Sequence, residues 1–442
     1  MTTPNLALIP CGYKASKVYS VLPTDGVGDF DFTRSGNATR VNSEGLIEEV
    51  LSNVPRLNYP MIDGVVSGCP SLLLEPQRTN LFTYSEDFSN GSWTKTNASV
   101  LSDQIVSPDG TTNADKLVEN TANSVHQISL FKSASVNDYS FSVFVKKGER
   151  EFVSLVFSDN VRYLVHYTFD LTNGVVTKSY NYTGVTSVFT SKSVGNGWYK
   201  LTLSSNYTWA TLIYPRIYIE NTSTPPTVPS NTYIGDGTSG LYIWGAQLEA
   251  GSYPTSYIPT QGTTATRLVD NLLGQLTTGF FNDDEGTLFL HFKAFENDTS
   301  YRYLAISDGT VSNRVVITLD NTYRIQSAVS LAGVTQSNVI KQMTNDSLSA
   351  GFKVAMTYKN NEFKSFVNGV ETTPRDTSGS VFPTGTLKYL RFTQGNTTSG
   401  PLNGETKQLQ YFDTALNDTS LEELTSWRSF NEMARDLLYT IE

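Results

Sequence analysis

Cysteine is nearly missing from this chain: of its 442 residues, only Cys11 and Cys69 carry a thiol. Two thiols cannot build a disulfide scaffold, so we expect them to be free and partly buried. Histidine is also scarce, and His126, His166 and His291 are too isolated to match the spacing of a zinc site. These absences exclude disulfide-based and zinc-based architectures.

Charge and long apolar runs are also in short supply. Charged residues make up 17% of the chain, and the net charge is −10. Without a cluster of lysines and arginines, the sequence predicts no nucleic-acid partner. The N-terminal residues carry no charged leader, and no apolar run is long enough for a membrane span. We therefore expect no membrane insertion and a chain that folds in a cytoplasm.

Catalytic motifs are absent from the sequence as well. It contains neither a Gly-X-Ser-X-Gly elbow nor a phosphate-binding glycine loop. The acidic triplet Asp283-Asp284-Glu285 precedes Gly286, which favours a solvated turn over a glycosidase carboxylate pair. We expect no enzymatic activity and no cofactor. A calcium site, formed by the triplet with Asp308 or Asp320, stays open.

Aromatic and hydroxylic residues are what the chain has in abundance. It contains 24 tyrosines, 23 phenylalanines and 32 glycines. This composition is typical of β-sandwiches with hydroxylic outer faces and glycine-rich turns. The predicted fold class is all-β. We expect two antiparallel jelly-roll or β-sandwich domains in series, with an N-terminal β-rich block and a short C-terminal helix.

Alternating segments and turn signals divide the chain. Trp198–Leu203 and Ile213–Glu220 alternate as half-buried strands do, and Asn196-Gly197 and Asn368-Gly369 predict tight turns. We expect the N-terminal block to pack on or complete the first sandwich. The predicted divisions are an N-terminal attachment or packing block (1–80), a jelly roll (81–262), a second sandwich (263–427) and a C-terminal helix (428–442).

The helix prediction depends on the last part of the chain. Ser420 and Glu423 have the spacing of a capping box. Apolar residues follow at heptad spacing at Phe430, Ala434, Leu437 and Ile441. So short a helix must bury this stripe, either on its own sandwich or in a threefold bundle.

The segment Ser71–Leu81 is predicted to connect the N-terminal block to the first sandwich. Its apolar run stops at Glu75-Pro76, where proline disfavours helix and removes a backbone donor. We expect Glu75 and Arg78 to pair across this corner as a structural latch, and Asn80 to bind nearby backbone groups. The alternative is a ligand site.

A candidate glycan-binding face lies in Ile213–Glu220. Period-two alternation places Tyr214, Arg216 and Tyr218 on one face, together with Glu220. Flat aromatic rings beside charged donors and acceptors suit sugars. Trp209 lies beside a polar stretch and is a further candidate. Alternatively, this face packs on a neighbouring subunit.

Several of these segments carry a resemblance. Phe32–Asn42, Leu72–Leu81 and Tyr242–Glu249 resemble segments of structural and fibre proteins of tailed bacteriophages, where they accompany a carbohydrate-binding-module-like jelly roll. Val354–Val370 and Leu402–Leu416 resemble the laminin-G and concanavalin-like fold. The resemblance implies a non-enzymatic virion protein: a head fibre, tail fibre or capsid decoration protein.

The resemblance also implies a location and partners. We expect a protein of the virion surface, made in the host cytoplasm and assembled as a homotrimer. Its expected partners are other virion proteins and host-surface or mucus glycans. A polysaccharide-degrading tail spike is one alternative, although no β-helix repeat or carboxylate pair is visible. An adhesin-type glycan-binding module is another, which the missing leader disfavours.

Overall fold

The computed structural model confirms an antiparallel, nearly all-β fold with sandwich architecture. It describes residues 2–133, 135, 137–159, 161–207, 212–225, 232–274, 279–295, 299–396 and 400–427. Within these ranges the helices are α1 (Asn345–Ala350) and α2 (Asp418–Thr425). Neither described helix is long and apolar enough to cross a membrane.

Most strands are short in the N-terminal block and longer in the two sandwiches. The block contains β1 (Leu6–Leu8), β2 (Tyr13–Lys14), β3 (Lys17–Val18), β4 (Phe30–Thr33), β5 (Ala38–Val41), β6 (Ile47–Val50), β7 (Arg56–Asn58), β8 (Met61–Ile62), β9 (Val65–Val66), β10 (Ser71–Leu74) and β11 (Arg78–Asn80). The first sandwich contains β12 (Thr94–Thr96), β13 (Ala98–Val106), β14 (Thr112–Glu119), β15 (Asn123–Ser124), β16 (His126–Ser129), β17 (Lys132–Ser133), β18 (Asn137–Lys147), β19 (Phe152–Ser158), β20 (Tyr163–Asp170), β21 (Val175–Asn181), β22 (Ser187–Ser193), β23 (Trp198–Tyr207), β24 (Leu212–Glu220), β25 (Tyr233–Ile234) and β26 (Gly240–Ala250). The remaining strands are β27 (Ala265–Arg267), β28 (Asn271–Gly274), β29 (Glu285–Lys293), β30 (Arg302–Ser307), β31 (Arg314–Leu319), β32 (Arg324–Leu331), β33 (Val334–Gln342), β34 (Phe352–Lys359), β35 (Glu362–Val367), β36 (Val370–Glu371), β37 (Tyr389–Arg391) and β38 (Gly404–Phe412).

Two sheets enclose the core of the first sandwich. Sheet 1 runs in the order β12-β16-β24-β19-β20-β21, with β17 also on β24, and sheet 2 runs β13-β14-β26-β18-β23-β22. Ile213, Ile217 and Leu155 of sheet 1 share one apolar core with Phe141 and Leu203 of sheet 2. The inward face of β24 is therefore its isoleucine face, as its alternation predicts.

Strands of the N-terminal block pair into the sheets of the second sandwich and not into those of the first. The block also packs on the first sandwich, because the N–H of Ile47 donates to the carbonyl of Pro108 and its side chain packs on a cluster that contains Phe144 and Trp198. The strands β1 and β10 pair with β38, and β4 pairs with β28. The order of one sheet is β36-β35-β34-β29-β38-β10-β7, and the other runs β2-β3-β4-β28-β37-β30-β31-β32-β33. All four residues of β10 are buried, and Leu72 and Leu74 belong to the core of the second sandwich. Leu73, on the other face of β10, points away from this core and lines a cleft that residues of the first sandwich also line.

The first sandwich is connected to the rest of the chain by a pair of strands. The chain enters the sandwich after β11 and leaves it before β27, and these two strands pair with Arg78 opposite Arg267. Asn80, at the end of β11, donates to the carbonyls of Ala246 and Ile258 and accepts from the backbone N–H of Phe82. This side chain therefore binds backbone groups around the entry point, as predicted.

The C-terminal helix is present, but it begins earlier than the capping box predicts. Asn417 is the N-cap residue, because its side-chain oxygen accepts from the N–H of Ser420. Ser420 itself is the last residue of the first turn. Leu421 is buried against Phe289 on the outer face of a second-sandwich sheet. Residues 428–442, with the predicted heptad stripe, lie outside the described residues.

The predicted tight turns are present in the structure, whereas the predicted partial burial of the cysteines is not. Asn196-Gly197 and Asn368-Gly369 adopt left-handed backbone angles, as tight hairpin turns require. Both thiols are free, but Cys11 and Cys69 are exposed rather than partly buried. Burial depends on how distant segments pack, which a local turn signal does not encode.

Candidate functional site

The outer face of sheet 1 carries an aromatic–arginine patch formed by Phe131, Tyr163, Tyr214 and Arg216. The guanidinium carbon of Arg216 lies 5.4 Å from the ring centroid of Tyr214 and 5.8 Å from that of Tyr163. The rings of Phe131 and Tyr214 are 5.3 Å apart. Phe131 is 49% exposed and Tyr163 is 36% exposed. The structure thus brings two predicted residues, Tyr214 and Arg216, together with two that the sequence analysis missed.

Hydrogen bonds orient the arginine of this patch. Its Nε donates to the hydroxyl of Ser158 over 2.8 Å, and its Nη1 donates to Gln127 Oε1 over 3.4 Å. Ser158 is opposite Tyr214 in the β19–β24 pair, so strand register alone places it on this face. A guanidinium held between two rings, beside an amide and a hydroxyl, can bind the hydroxyls of a sugar while the rings contact its apolar face.

Tyr218 and Glu220 share the predicted face, but they cannot contact a ligand. Tyr218 is 1% exposed, Glu220 is fully buried, and burial raises the pKa of the Tyr218 hydroxyl. The chain after β24 turns back over this end of the sheet, where Lys178 donates to the carbonyl of Pro225. Including Tyr218 among the glycan-binding residues is therefore wrong. Trp209 lies outside the described residues.

A buried polar cluster lies on the same face beneath this crossing. His166 Nε2 is 3.0 Å from Ser154 Oγ and 2.9 Å from Thr168 Oγ1, and Ser154 Oγ donates to Glu220 over 2.8 Å. Because Ser154 donates to Glu220, His166 donates through Nε2, and its Nδ1 has no partner among the described residues. Burial and the charge of Lys178 lower the pKa of His166 to about 4. Period-two alternation, which placed Tyr218 and Glu220 on one face, also places His166 and Thr168 of β20 on one face. The sequence analysis missed the cluster because the histidines are isolated in sequence.

The predicted latch exists, but its partners differ from those expected. Glu75 Oε2 lies 2.6 Å from Arg56 Nη1 and 3.0 Å from Arg267 Nη1, and all three side chains are buried. Arg78 instead stacks on the ring of Tyr253, 5.2 Å from its centroid. The chain from β10 to β11 is nearly extended, so residues three positions apart point in different directions. The Glu75–Arg78 pairing is therefore wrong, and Glu75 pairs instead with arginines from other segments.

Five buried charges form what we call the junction cluster: Arg34, Arg56, Arg267, Glu75 and Asp270. Asp270 accepts from Arg34 over 3.1 Å, from Arg56, and from the backbone N–H of Glu75 over 2.9 Å. Burial alone would raise the pKa of Glu75, but Arg267, Arg56 and hydrogen bonds from Ser256 lower it to about 2. The cluster joins the N-terminal block to the segment that leaves the first sandwich.

The segments Phe32–Asn42, Leu72–Leu81 and Tyr242–Glu249 all lie at or beside this junction. Phe32–Asn42 supplies Arg34, and Leu72–Leu81 supplies Glu75. Tyr242–Glu249 supplies the buried Glu249, which accepts from the backbone N–H of Thr255 over 2.9 Å. The hydroxyl of Thr255 in turn accepts from Arg267 over 2.9 Å. The first two segments therefore supply members of the junction cluster, and the third is connected to it through Thr255.

The carboxylates of the acidic triplet are bound by neighbouring backbone and side-chain groups. Asp283 accepts from the backbone N–H groups of Gly385 and Leu387, and Glu285 pairs with Lys359. Asp308 accepts from Thr310 and Asn313, and Asp320 pairs with Arg324. Among the described residues, no group of three or more histidine, cysteine, aspartate or glutamate side chains could hold a metal ion.

No protein-family model matches the chain, and neither does any curated protein. Solved structures give only distant similarity. The CBM40 module of a Ruminococcus gnavus IT-sialidase is 18% identical, with 32% of this chain and 83% of that chain covered and a TM-score of 0.28. Domains LG4-5 of mouse laminin alpha1 are 10% identical, covering 82% and 96%, with a TM-score of 0.25. A Trypanosoma rangeli sialidase is 12% identical, covering 90% and 82%, with a TM-score of 0.28. At these TM-scores the matches carry no argument about function.

Proposed function

We propose that this chain is a non-enzymatic structural protein of a bacteriophage virion that displays a glycan-binding sandwich at the particle surface. A head fibre, a tail fibre and a decoration protein all fit this description. The proposal is supported by the resemblance of Phe32–Asn42, Leu72–Leu81 and Tyr242–Glu249 to segments of phage structural proteins, and by the buried junction beside which these segments lie. A display protein needs such a fixed junction to present a domain in one orientation.

The observation that carries glycan binding is the aromatic–arginine patch. Arg216 lies between Tyr163 and Tyr214, and the ring of Phe131 extends the exposed aromatic surface. Sugars combine apolar C–H faces with hydroxyls, and this patch offers rings, a guanidinium and an amide. The ligand class we propose is a host-surface or mucus glycan, bound weakly by one site and more strongly by many copies.

The geometry of the buried polar cluster supports a non-enzymatic role. Ser154 and His166 are within hydrogen-bond distance, as a nucleophile and its base would be. However, the carboxylate of Glu220 accepts a hydrogen bond from Ser154 instead of orienting His166. The side chains of Ser154 and His166 are also fully buried. A substrate bond cannot reach this serine in the folded state. A polysaccharide-degrading tail spike is therefore the less favoured function.

Arg216→Ala is expected to weaken glycan-array binding by at least about tenfold, because it removes the charged donor of the patch. Arg375→Ala is the matched control, since Arg375 is a partly exposed, ion-paired arginine of the second sandwich. It should bind like the unmodified chain. In the same experiment, host polysaccharides should release no oligosaccharide. Unchanged binding by a folded Arg216→Ala variant would show that the patch is structural. Cleavage that Ser154→Ala abolishes would contradict the non-enzymatic assignment.

We further propose that the working unit is a homotrimer. Light scattering of the full-length chain at micromolar concentration should give three times the mass of one chain. Antibodies against the chain should label the surface of purified phage particles in electron micrographs. A stable monomer in solution would refute obligate trimerisation, and unlabelled particles would refute the virion role.

A further inference from the structure

A deep cleft lies where the N-terminal block and the two sandwiches meet. Its volume is about 800 Å³, within the usual range for small-molecule sites. Its walls come from all three parts of the chain: Thr39 belongs to β5, Lys192 to β22, Lys200 to β23, and Lys293 to β29. The cleft lies on the opposite sheet from the aromatic–arginine patch, since β22 and β23 belong to sheet 2.

Positive charge dominates the middle of this cleft. Lys200 Nζ donates to the carbonyl of Thr255 over 3.1 Å. Within the described residues, the ammonium groups of Lys192 and Lys293 have neither a hydrogen bond nor an ion pair. Glu405 lies opposite Lys293 in the β29–β38 pair, but no ion pair joins the two among the described residues. The ammonium groups of Lys192 and Lys293 are therefore available to an anion.

Among the described residues, the acidic groups of the cleft form no ion pair with these lysines. Glu75 is occupied by Arg56 and Arg267, and Glu405 accepts from the amide of Asn58 over 3.2 Å. Asp346 lines the rim in α1, and Arg40 is already paired with Glu48. Lys192 is an exposed residue of β22, so its ammonium group is accessible to a ligand in the cleft.

The remaining walls suit a polyhydroxylated ligand. Phe295 lines the cleft and stacks on Tyr253, with ring centroids 5.0 Å apart and planes 17° apart. Hydroxyl groups come from Thr190, Thr202 and Ser347. Lysine ammonium groups bind phosphates and carboxylates alike as point charges, so the other groups of the walls favour one ligand class over another. Lysine point charges, hydroxyls and an aromatic ring together fit a sugar that carries carboxylates.

We propose that the junction cleft binds a carboxylate-bearing oligosaccharide segment, with Lys192 and Lys293 contacting its carboxylates and Phe295 contacting a sugar ring. This site is separate from the aromatic–arginine patch, and it does not depend on glycan binding there. A chain with both sites would contact two kinds of saccharide.

Isothermal titration calorimetry with the full-length chain tests the proposal. The probes are trigalacturonate, trimannuronate and sialyllactose, with maltotriose as the neutral control and sodium phosphate and sodium sulfate as simple anions. At least one acidic probe should bind with a dissociation constant below about 10 mM. Lys192→Met and Lys293→Met should each weaken that binding by at least about tenfold, since each removes a charge-assisted contact.

Matched variants separate this site from other effects. Lys359→Met changes an exposed lysine at a distant strand end and should bind like the unmodified chain, as should Arg216→Ala. Phosphate or sulfate binding as tight as that of the acidic saccharides would overturn the proposal in favour of a simple anion site. Equal binding of maltotriose, unchanged binding by folded Lys192→Met, or no binding by any acidic probe would each overturn it.

Discussion

Replacing Glu75 with glutamine should lower the free energy of unfolding by about 3–5 kcal/mol. The substitution keeps the shape of the side chain but removes the carboxylate shared by Arg56 and Arg267. Removing one partner from a buried ion pair leaves an uncompensated charge in a region of low dielectric, and water cannot reach it. Urea unfolding followed by tryptophan fluorescence measures the loss.

An exposed ion pair provides the control for this experiment. Asp31 pairs with Lys17 at the surface, so Asp31→Asn should change the free energy of unfolding by less than about 1 kcal/mol. Equal effects of the two substitutions would contradict a special role for the junction cluster. The low pKa of Glu75 adds a second signature. Its contribution is fully present above the unfolded pKa of 4.5 and should be lost as the pH falls toward about 2.

Protonation of His166 should destabilise the chain at higher pH values than those at which the Glu75 contribution is lost. The pKa of His166 is 6.5 when unfolded and about 4 when folded, because it is buried near Lys178. Between these values the unfolded chain binds a proton that the folded chain does not, so stability falls as the pH falls and levels off below about 4. From pH 7 to pH 5, His166 alone should cost about 2 kcal/mol.

His166→Gln tests this window, because the glutamine amide can replace Nε2 as donor to Ser154 and Thr168. The variant should lose less stability than the unmodified chain between pH 7 and pH 5, as measured by urea unfolding at a series of pH values. His291, whose pKa burial and two lysines also lower, contributes in the same direction. A variant in which both His166 and His291 are replaced should therefore lose even less stability between pH 7 and pH 5. Identical pH profiles for all three chains would refute the assignment.

Local sequence patterns correctly predicted strand faces and tight turns, but they could not predict contacts between segments that are far apart in the sequence. The alternation of Ile213–Glu220 identified the inward face of β24, because the side-chain period of a strand is a property of the strand itself. The partners of Glu75 could not be read this way. Arg56 and Asp270 are 214 positions apart, and only the meeting of β10 with β38 and of β11 with β27 brings them together.

The candidate site shows the same division. Tyr214 and Arg216 could be placed on one face from the sequence, whereas the exposure of each residue could not. Tyr218 is covered because the chain returns over the sheet after β24, as the bond from Lys178 to Pro225 shows. The junction cleft escaped prediction entirely, because its lysines come from separate segments and become neighbours only when the sandwiches meet.

Because β1 pairs with β38, the N-terminal strand is synthesised long before its partner strand. Leu6 is opposite Tyr411, so the N-terminal strand emerges from the ribosome roughly 20–80 s before its partner at ordinary elongation rates. All strands of sheets 1 and 2 are made within that interval, so the first sandwich can fold while β1 and the β7–β10 pair still lack their partner β38. Contacts of such long sequence separation form slowly and leave apolar strand edges exposed. The nascent chain is therefore a natural client for chaperones that shield its first eighty residues.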